Sequence, residues 1–223
     1  IRNLTSASDE EKKIVLPRFF KTGKGEYGEG DKFLGVTVPE TRKVAKAHKE
    51  ASYELIEALL ESEWHECRLC ALLILIEKYK KDPEAAVKFY LTHLKGINNW
   101  DLVDLSAPYI LGDYLVKHSD HSVLYTLAQS PVMWEQRIAV VSTLMLIRNG
   151  QFTDTIELAE IFLGTKHDLM QKAVGWMLRE VGKRDKTLLM SFLNTNKGAM
   201  PRTTLRYAIE KFTPEERKEL MRK

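Results

Sequence analysis

An aromatic residue and a carboxylate stand four positions apart in the segment Asn-Asn-Trp-Asp-Leu-Val-Asp, as Trp100 and Asp104. In a helix they share one face, and the helical period places Leu102, Leu105 and Tyr109 on the opposite, apolar face. We therefore expect Trp100 and Asp104 to point away from the core and to form a surface that can bind a cation. The alternative for Trp100 is packing against a neighbouring helical repeat.

Arg137 is a second candidate, at the start of a segment that is apolar on most sides. A guanidinium beside such a surface needs a partner, because an unpaired buried charge is costly. A cation at a helix N-terminus also opposes the helix macrodipole. A bound phosphate would resolve both problems. A salt bridge with Asp104 is the structural alternative, and the sequence leaves both open.

A third candidate is a stripe of three basic residues around one indole, formed by Lys172, Trp176, Arg179 and Lys183. Their spacing puts all four on one helix face. Interleaved basic and aromatic side chains suit a nucleic-acid backbone, since the cations meet phosphates and the ring packs on sugar or base. The alternative is a solvated surface on which long cationic side chains extend to water beside a half-buried Trp.

Other motifs indicate structure rather than chemistry. The Gly-x-Gly-x-x-Gly motif that begins at Gly23 follows a helical segment, whereas a dinucleotide site needs a preceding strand. Cys67 and Cys70 lie in an apolar helix and are interpreted as buried structural thiols, so no metal site and no cofactor are predicted. His167 is expected to begin a helix, and the other histidines have no recognisable partner.

Helical spacing of apolar residues along almost the whole chain predicts an all-α protein. The predicted helices cover 8–21, 39–49, 52–61, 64–80, 83–94, 99–117, 121–128, 133–148, 154–163, 168–183, 186–193, 201–211 and 213–222. Pro108 lies inside one of these segments and should kink it or shift a turn, because proline removes a backbone donor.

The longer helices repeat with a period of about 35 residues. Similar first turns recur at Arg68, Asp104, Arg137, Lys172 and Arg206, with spacings of 36, 33, 35 and 34. Two helices per unit at this period are typical of an α-solenoid. We predict that residues 1–223 form a single domain of HEAT-like repeats, curved around a concave basic groove. Asp104 is the one acid in this column, so it would be a lone carboxylate among cations.

Composition narrows the class of protein and of partner. With 44% hydrophobic and 29% charged residues, the chain has the balance of a soluble globular protein. The longest apolar run, Cys70–Ile76, is too short to span a membrane. Two cysteines fit a reducing cytosol. Residues 166–223 hold 14 Lys and Arg against 7 Asp and Glu, which points to a polyanionic partner or to a solvated basic surface.

These segments resemble the AlkD-like DNA alkylation repair enzymes, a HEAT-like family of DNA glycosylases, and the resemblance extends over essentially the whole chain. It is carried by Phe-Phe-Lys-Thr-Gly at 19–23, Glu-Tyr-Gly-Glu-Gly-Asp at 26–31, Phe-Leu-Gly-Val at 33–36, Asn-Trp-Asp-Leu-Val-Asp at 99–104, Gln-Arg at 136–137, Lys-Ala-Val-Gly-Trp-Met-Leu-Arg-Glu at 172–180 and Pro-Arg-Thr-Thr-Leu-Arg at 201–206. Each stretch is weak alone, and their combination is specific.

The resemblance implies hydrolysis of the N-glycosidic bond of cationic alkylpurines, such as N3-methyladenine and N7-methylguanine, in duplex DNA. It also implies that the base is not flipped into a pocket, unlike the usual glycosylase strategy. The family's catalytic carboxylate corresponds to Asp104, its paired tryptophans to Trp100 and Trp176, and its active-site arginine to Arg137.

The resemblance further implies contacts to the DNA backbone from Arg179 and Lys183, and it places Tyr27 near a family aromatic. Lys172 lies on the same stripe. No lysine is clearly placed for Schiff-base chemistry, so we expect a monofunctional hydrolase. We expect it to act as a monomer in the cytoplasm, associated with the nucleoid when bound to DNA. The alternative is a non-catalytic HEAT-like scaffold that binds DNA or protein.

Overall fold

The structure, a computed structural model, describes residues 1–222, and every regular element in that range is a helix. Within these residues, β pairing is limited to an isolated parallel bridge between Lys32 and Trp64. The all-α prediction is therefore confirmed. None of the helices within 1–222 combines the length and the apolar character that crossing a bilayer requires.

Most predicted helices are present, with ends displaced by a few residues. The α-helices are α1 (Arg2–Thr5), α2 (Glu10–Phe19), α3 (Val38–Ala47), α4 (Tyr53–Leu60), α5 (His65–Tyr79), α6 (Pro83–Thr92), α7 (Trp100–Ser106), α8 (Asp113–Val116), α9 (Ser122–Ala128), α10 (Met133–Arg148), α11 (Thr153–Ile161), α12 (Asp168–Gly182), α13 (Lys186–Asn196), α14 (Arg202–Ala208) and α15 (Pro214–Leu220). A 3₁₀ turn covers Leu94–Gly96. Helix α1 was not predicted.

The predicted helix over 99–117 is wrong as one continuous element. It is divided into α7, a π-helical turn at Pro108–Gly112 and α8. The wide turn is closed by the backbone N–H of Gly112, which donates to the carbonyl of Ala107 at 2.9 Å. Because proline has no N–H and its ring crowds the preceding turn, the regular hydrogen-bond ladder is interrupted at this point, as the sequence predicted for Pro108.

Contacts within the chain group its residues into two compact units, Ile1–Ser106 and the part from Ala107 onward. The single domain over 1–223 therefore stays a prediction. In the first unit α5 is the central helix and packs against α3, α4, α6 and α7. Nearly all of its residues from His65 to Leu75 are buried, including both cysteines. The prediction of buried thiols is confirmed.

A buried carboxylate fixes the loop before α3 onto α5. Glu66 accepts hydrogen bonds from the backbone N–H groups of Leu34, Gly35 and Val36, at 2.9, 2.9 and 3.1 Å. Gly35 has a φ of +83° and its Cα faces the backbone of Asp9 closely, so a side chain does not fit there. One acid thus satisfies three backbone donors that the loop would otherwise leave unpaired.

In the second unit, α10 and α12 are the central helices. Helix α10 packs against α9, α11 and α12, and α12 packs against α13 and α14. The approach of α12 to α14 depends on Gly175, because a Cβ added there would lie 2.5 Å from the Cβ of Tyr207 and 2.6 Å from the carbonyl oxygen of Thr204. Successive helices packed on one another in this way are typical of helical repeats.

We expect Gly175→Ala to destabilise the protein by about 1–3 kcal/mol, because the methyl group overpacks the α12–α14 contact. This cost exceeds the gain of up to about 1 kcal/mol that alanine brings to a helix interior. Urea unfolding measures it. Gly198→Ala is the control, since a Cβ there meets nothing within 4 Å. Equal unfolding midpoints for the two variants would contradict the close approach of α12 to α14.

Candidate functional site

Helix α7 carries Trp100 and Asp104, both half-buried. Its first turn is fixed by Asn99, whose side-chain oxygen accepts from the Trp100 backbone N–H at 2.8 Å. The predicted apolar face is only partly correct, because Leu105 is half-buried and Tyr109 is exposed. The physical reason is that α7 ends at Ser106, so its helical period does not continue to Tyr109.

Trp100 is not an isolated surface ring, because aromatic side chains from outside α7 pack against it. Its ring stacks on Phe20, with centroids 5.4 Å apart and planes at 20°, and meets Phe19 edge-on at 5.9 Å. The rings of Phe20 and Phe33 also stack, at 5.0 Å. These contacts correspond most closely to the alternative interpretation of a packed Trp. The stacking fixes the plane of the indole, because neighbouring rings on two sides restrict its rotation.

A buried polar network lies beside this aromatic cluster. His65 contacts Asp31 through Nδ1 at 3.1 Å and Asp101 through Nε2 at 2.8 Å. Arg68 donates to Asp31 at 2.7 Å and to the carbonyl of Ser62 at 2.7 Å, and the Asn99 amide donates to Asp31 at 3.3 Å. We call Asp31, His65, Arg68, Asn99 and Asp101 the His65 network. It joins the loop before α3, the start of α5 and the start of α7.

Hydrogen bonds in the His65 network favour the charged forms of His65 and Asp31. Burial by itself favours the neutral ring of His65, but hydrogen bonds to Asp101 and Asp31 raise its pKa to about 9. Burial likewise opposes ionisation of Asp31, whereas the hydrogen bond from His65 and the charge of Arg68 hold the pKa of this carboxyl below its usual range. At neutral pH the His65 ring is therefore positively charged and Asp31 is negatively charged.

Arg137 is buried in the second unit, and its guanidinium donates a hydrogen bond to the carbonyl of Leu169 at the start of α12. This hydrogen bond joins α10 to α12 and orients the guanidinium of Arg137. The need for a polar partner, which the sequence predicted for Arg137, is thus met in part by the protein itself. Its contact with a phosphate stays a prediction.

In the stripe on α12, Lys172, Trp176 and Arg179 are half-buried, and Lys183, which directly follows the helix, is exposed. Its opposite face is core, since Val174, Leu178 and Val181 are buried as expected. Each cation of the stripe also has an acidic partner. Lys172 pairs with Asp168 at 2.6 Å, Lys183 pairs with Glu180 at 2.6 Å, and Arg179 pairs with Glu210.

Tyr27 is half-buried in the loop between α2 and α3. Carboxylates shape this loop, because Glu26 accepts from the N–H of Gly23 at 2.9 Å and Glu29 from that of Gly25 at 2.7 Å. The glycine motif is therefore a set of turns after a helix, as expected.

Residues 1–222 contain no group of three or more His, Cys, Asp and Glu side chains that could hold a metal ion.

The predicted site residues are divided between the two units. Tyr27, Trp100 and Asp104 belong to the first, and the second holds Arg137, Lys172, Trp176, Arg179 and Lys183. Within the first unit, Trp100 and Asp104 share α7, as the spacing predicted. Within the second, the stripe lies on α12 and Arg137 contacts the start of the same helix.

The sequence matches the model of the DNA alkylation repair enzyme family over residues 1–212. The chain belongs to this family. Among solved structures it is similar to a "Predicted DNA alkylation repair enzyme from Enterococcus faecalis", with 17% identity and a TM-score of 0.73 over 93% of this chain and 97% of that chain. At this identity the likeness shows the fold alone, an α-solenoid. No curated protein matches the chain.

In this DNA alkylation repair protein, the His65 network is the feature that the sequence did not indicate. His65 is separated from Asp31 by 34 residues and from Asp101 by 36. The second separation equals the spacing between Arg68 and Asp104, which begin similar turns of successive repeats, so the repeat alignment contains a signal for the pair of His65 and Asp101.

The prediction that His167 begins a helix is confirmed, because its ring accepts from the N–H of Leu169 at the start of α12.

Proposed function

We propose that this DNA alkylation repair protein is a monofunctional DNA glycosylase. It hydrolyses the N-glycosidic bond of cationic N3- and N7-alkylpurines in duplex DNA. The observation that carries the proposal is a half-buried carboxylate, Asp104, one helical turn after the half-buried indole of Trp100. Family membership supports a role in DNA alkylation repair, with which this reaction is consistent.

The reaction needs little acid catalysis. An alkylated purine already carries a positive charge, so it leaves as a neutral base when the bond between its nitrogen and the sugar C1′ breaks. Positive charge then develops on the deoxyribose, as in the oxocarbenium-like state of glycoside hydrolysis. The carboxylate of Asp104 stabilises this charge and orients the water that attacks C1′, because a preorganised negative group acts most strongly where positive charge develops.

Trp100 and Trp176 bind the cationic nucleotide through their π faces. Trp100 suits this role because stacking on Phe20 and Phe19 fixes the plane of its ring without burying it completely. Trp176 lies half-buried among the cations of α12. Binding by ring faces leaves the lesion in the duplex, so the base need not enter a pocket.

The basic residues hold the DNA backbone. Arg137 contacts the phosphate beside the lesion, with its guanidinium oriented by the carbonyl of Leu169. Lys172, Arg179 and Lys183 contact further phosphates, and Tyr27 lies against the sugar-phosphate chain. The acidic partners of the α12 cations keep these side chains extended and ordered in the free protein, and phosphates replace those partners in the complex.

The protein works without a cofactor, as a monomer, in the cytoplasm and on the nucleoid. No cofactor is needed, since a cationic alkylpurine leaves without the help of a metal or a redox partner. No Schiff-base lysine takes part, so the product is an intact strand with one abasic site. A non-catalytic HEAT-like scaffold is the competing function, and the same experiment separates the two.

The wild-type protein should release N7-methylguanine from methylated duplex DNA faster than the spontaneous loss of that base. Chromatography of the supernatant measures the free base, and gel electrophoresis before and after alkali shows whether the strand stays intact. Duplexes that contain uracil or hypoxanthine are the controls, because these uncharged bases are poor leaving groups without an acid. Tight binding to methylated DNA with no release above the spontaneous rate would establish the scaffold instead.

A further inference from the structure

Both ring nitrogens of His65 lie within hydrogen-bond distance of a carboxylate. Nδ1 lies 3.1 Å from an oxygen of Asp31 and Nε2 lies 2.8 Å from an oxygen of Asp101. A neutral imidazole has one donor and one acceptor, so it can satisfy only one carboxylate, whereas the imidazolium has two donors. The side chain of His65 is 2% exposed. The geometry therefore requires the charged ring.

The three residues come from three different parts of the first unit. Asp31 lies in the loop before α3, His65 is the first residue of α5, and Asp101 is the second residue of α7. Asp101 stands between Trp100 and the turn that carries Asp104. The ring of His65 also contacts the aromatic cluster, at 4.7 Å from both Phe20 and Phe33. His65 thus joins the start of α7 to the other two segments by hydrogen bonds and to the ring stack by contact.

The charged side chains near His65 come from the loop before α3 and from helices α2, α5 and α7. Asp31 and Asp101 face it directly, and Arg68, one turn further along α5, holds the second oxygen of Asp31. Glu66 is committed to the backbone N–H groups of the loop at 34–36. Lys12 of α2 lines the same apolar cavity as His65.

We propose that the His65 imidazolium is a positioning residue for the glycosylase reaction, holding Trp100 and Asp104 in place through Asp101. The proposal rests on the function proposed above. When the ring loses one proton to solvent, the lone pair of the unprotonated ring nitrogen faces a lone pair of a carboxylate oxygen. Repulsion then frees Asp101 and loosens the first turn of α7. The pKa of His65 is raised from 6.5 to about 9, so this hold on α7 is complete below pH 6.5 and is lost as the pH rises through about 9.

The decisive experiment compares the wild type with Asp101→Asn in single-turnover release of N7-methylguanine at saturating protein, at pH 7 and pH 10. One pH unit above the pKa, about a tenth of the wild-type rings stay charged, so its rate should fall about tenfold relative to that of the variant. In Asp101→Asn, neutral His65 donates to Asp31 and accepts from the new amide, so the network needs no second proton. The ratio of the two rates cancels any pH dependence of the lesion itself.

Asp154→Asn is the matched control. Burial favours neutral His121, but its 2.8 Å contact with Asp154 raises the pKa of that ring as well, and this pair lies in the second unit. The control variant should lose activity at pH 10 as the wild type does. Saturating protein removes differences in DNA affinity from these rates, so the comparison reports the step after binding. Equal alkaline losses in the wild type and Asp101→Asn would overturn the inference.

A second readout does not depend on catalysis. In NMR titrations, the Trp100 indole resonance should shift together with the His65 imidazole in the wild type, and Asp101→Asn should lack the transition near pH 9. A Trp100 resonance that ignores the titration of His65 overturns the positioning role, whatever the activity. If the wild type releases no base at any pH while Trp100 follows His65, the proposed glycosylase function fails and the hold on α7 stands.

Discussion

Asp104→Asn should slow the release of N7-methylguanine about 10²–10³-fold, the usual effect of removing one preorganised electrostatic group from a catalytic site. The amide has the size and shape of the carboxylate but carries no charge. It can still hydrogen-bond to a water molecule, so what disappears is the attraction between a negative oxygen and the positive charge on the deoxyribose. The half-buried position of Asp104 strengthens that attraction, because water screens it less than at the open surface.

Single-turnover rates with methylated duplex DNA measure this effect without contributions from product release. The matched control is Asp113→Asn, a half-buried aspartate in α8 that the proposal gives no role. This control should keep the wild-type rate. Thermal unfolding of both variants shows whether either substitution disturbs the fold. Wild-type release by Asp104→Asn would remove the catalytic assignment of Asp104 and leave the fold unaffected.

Arg68→Ala should lower the free energy of unfolding by about 3–5 kcal/mol, since breaking a buried ion pair leaves an uncompensated charge. The side chains of Arg68 and Asp31 are each 5% exposed, and their atoms approach to 2.7 Å. Removal of the guanidinium leaves one oxygen of Asp31 without its cation and the carbonyl of Ser62 without its donor. The carboxylate of Asp31 is shielded from water, so most of the cost of its desolvation remains.

Lys81→Ala is the control for this second substitution. Lys81 pairs with Glu50 at 2.6 Å, but the two side chains are 60% and 63% exposed. Water solvates both groups when the pair is broken, so the expected cost is about 0–1 kcal/mol. Urea unfolding of both variants at pH 7 gives the comparison. An equal loss for Arg68→Ala and Lys81→Ala would show that the buried network adds no more stability than a surface pair.

Local rules explain the part of the molecule that was predicted well. Helix periodicity located nearly all of the helices, and the proline rule located the break at Pro108, because both depend on neighbours within a few residues. The same reasoning put Trp100 and Asp104 on one helix and separated the basic stripe of α12 from its buried face. Asp168 and Lys172 are four apart on α12, so that ion pair is also visible in the sequence.

Other features depend on chain segments that meet only after folding. Arg179 pairs with Glu210 across 31 residues, and Trp100 stacks on a ring 80 positions earlier in the chain. Neither has a local signal. The helical period placed Trp100 away from the apolar face of its own helix. It could not show that Phe20, which directly follows α2, packs against that indole.

The sequence by itself determined the helical class of this protein, the period of its repeats and the residue types available for chemistry, because each of these is encoded over a few turns of chain. The tertiary structure decided the partners of those residues. It paired His65 with two distant carboxylates, gave Trp100 its stack and supplied the cations of α12 with acids. Burial and proximity set ionisation and orientation, and both arise only when remote segments exclude water together.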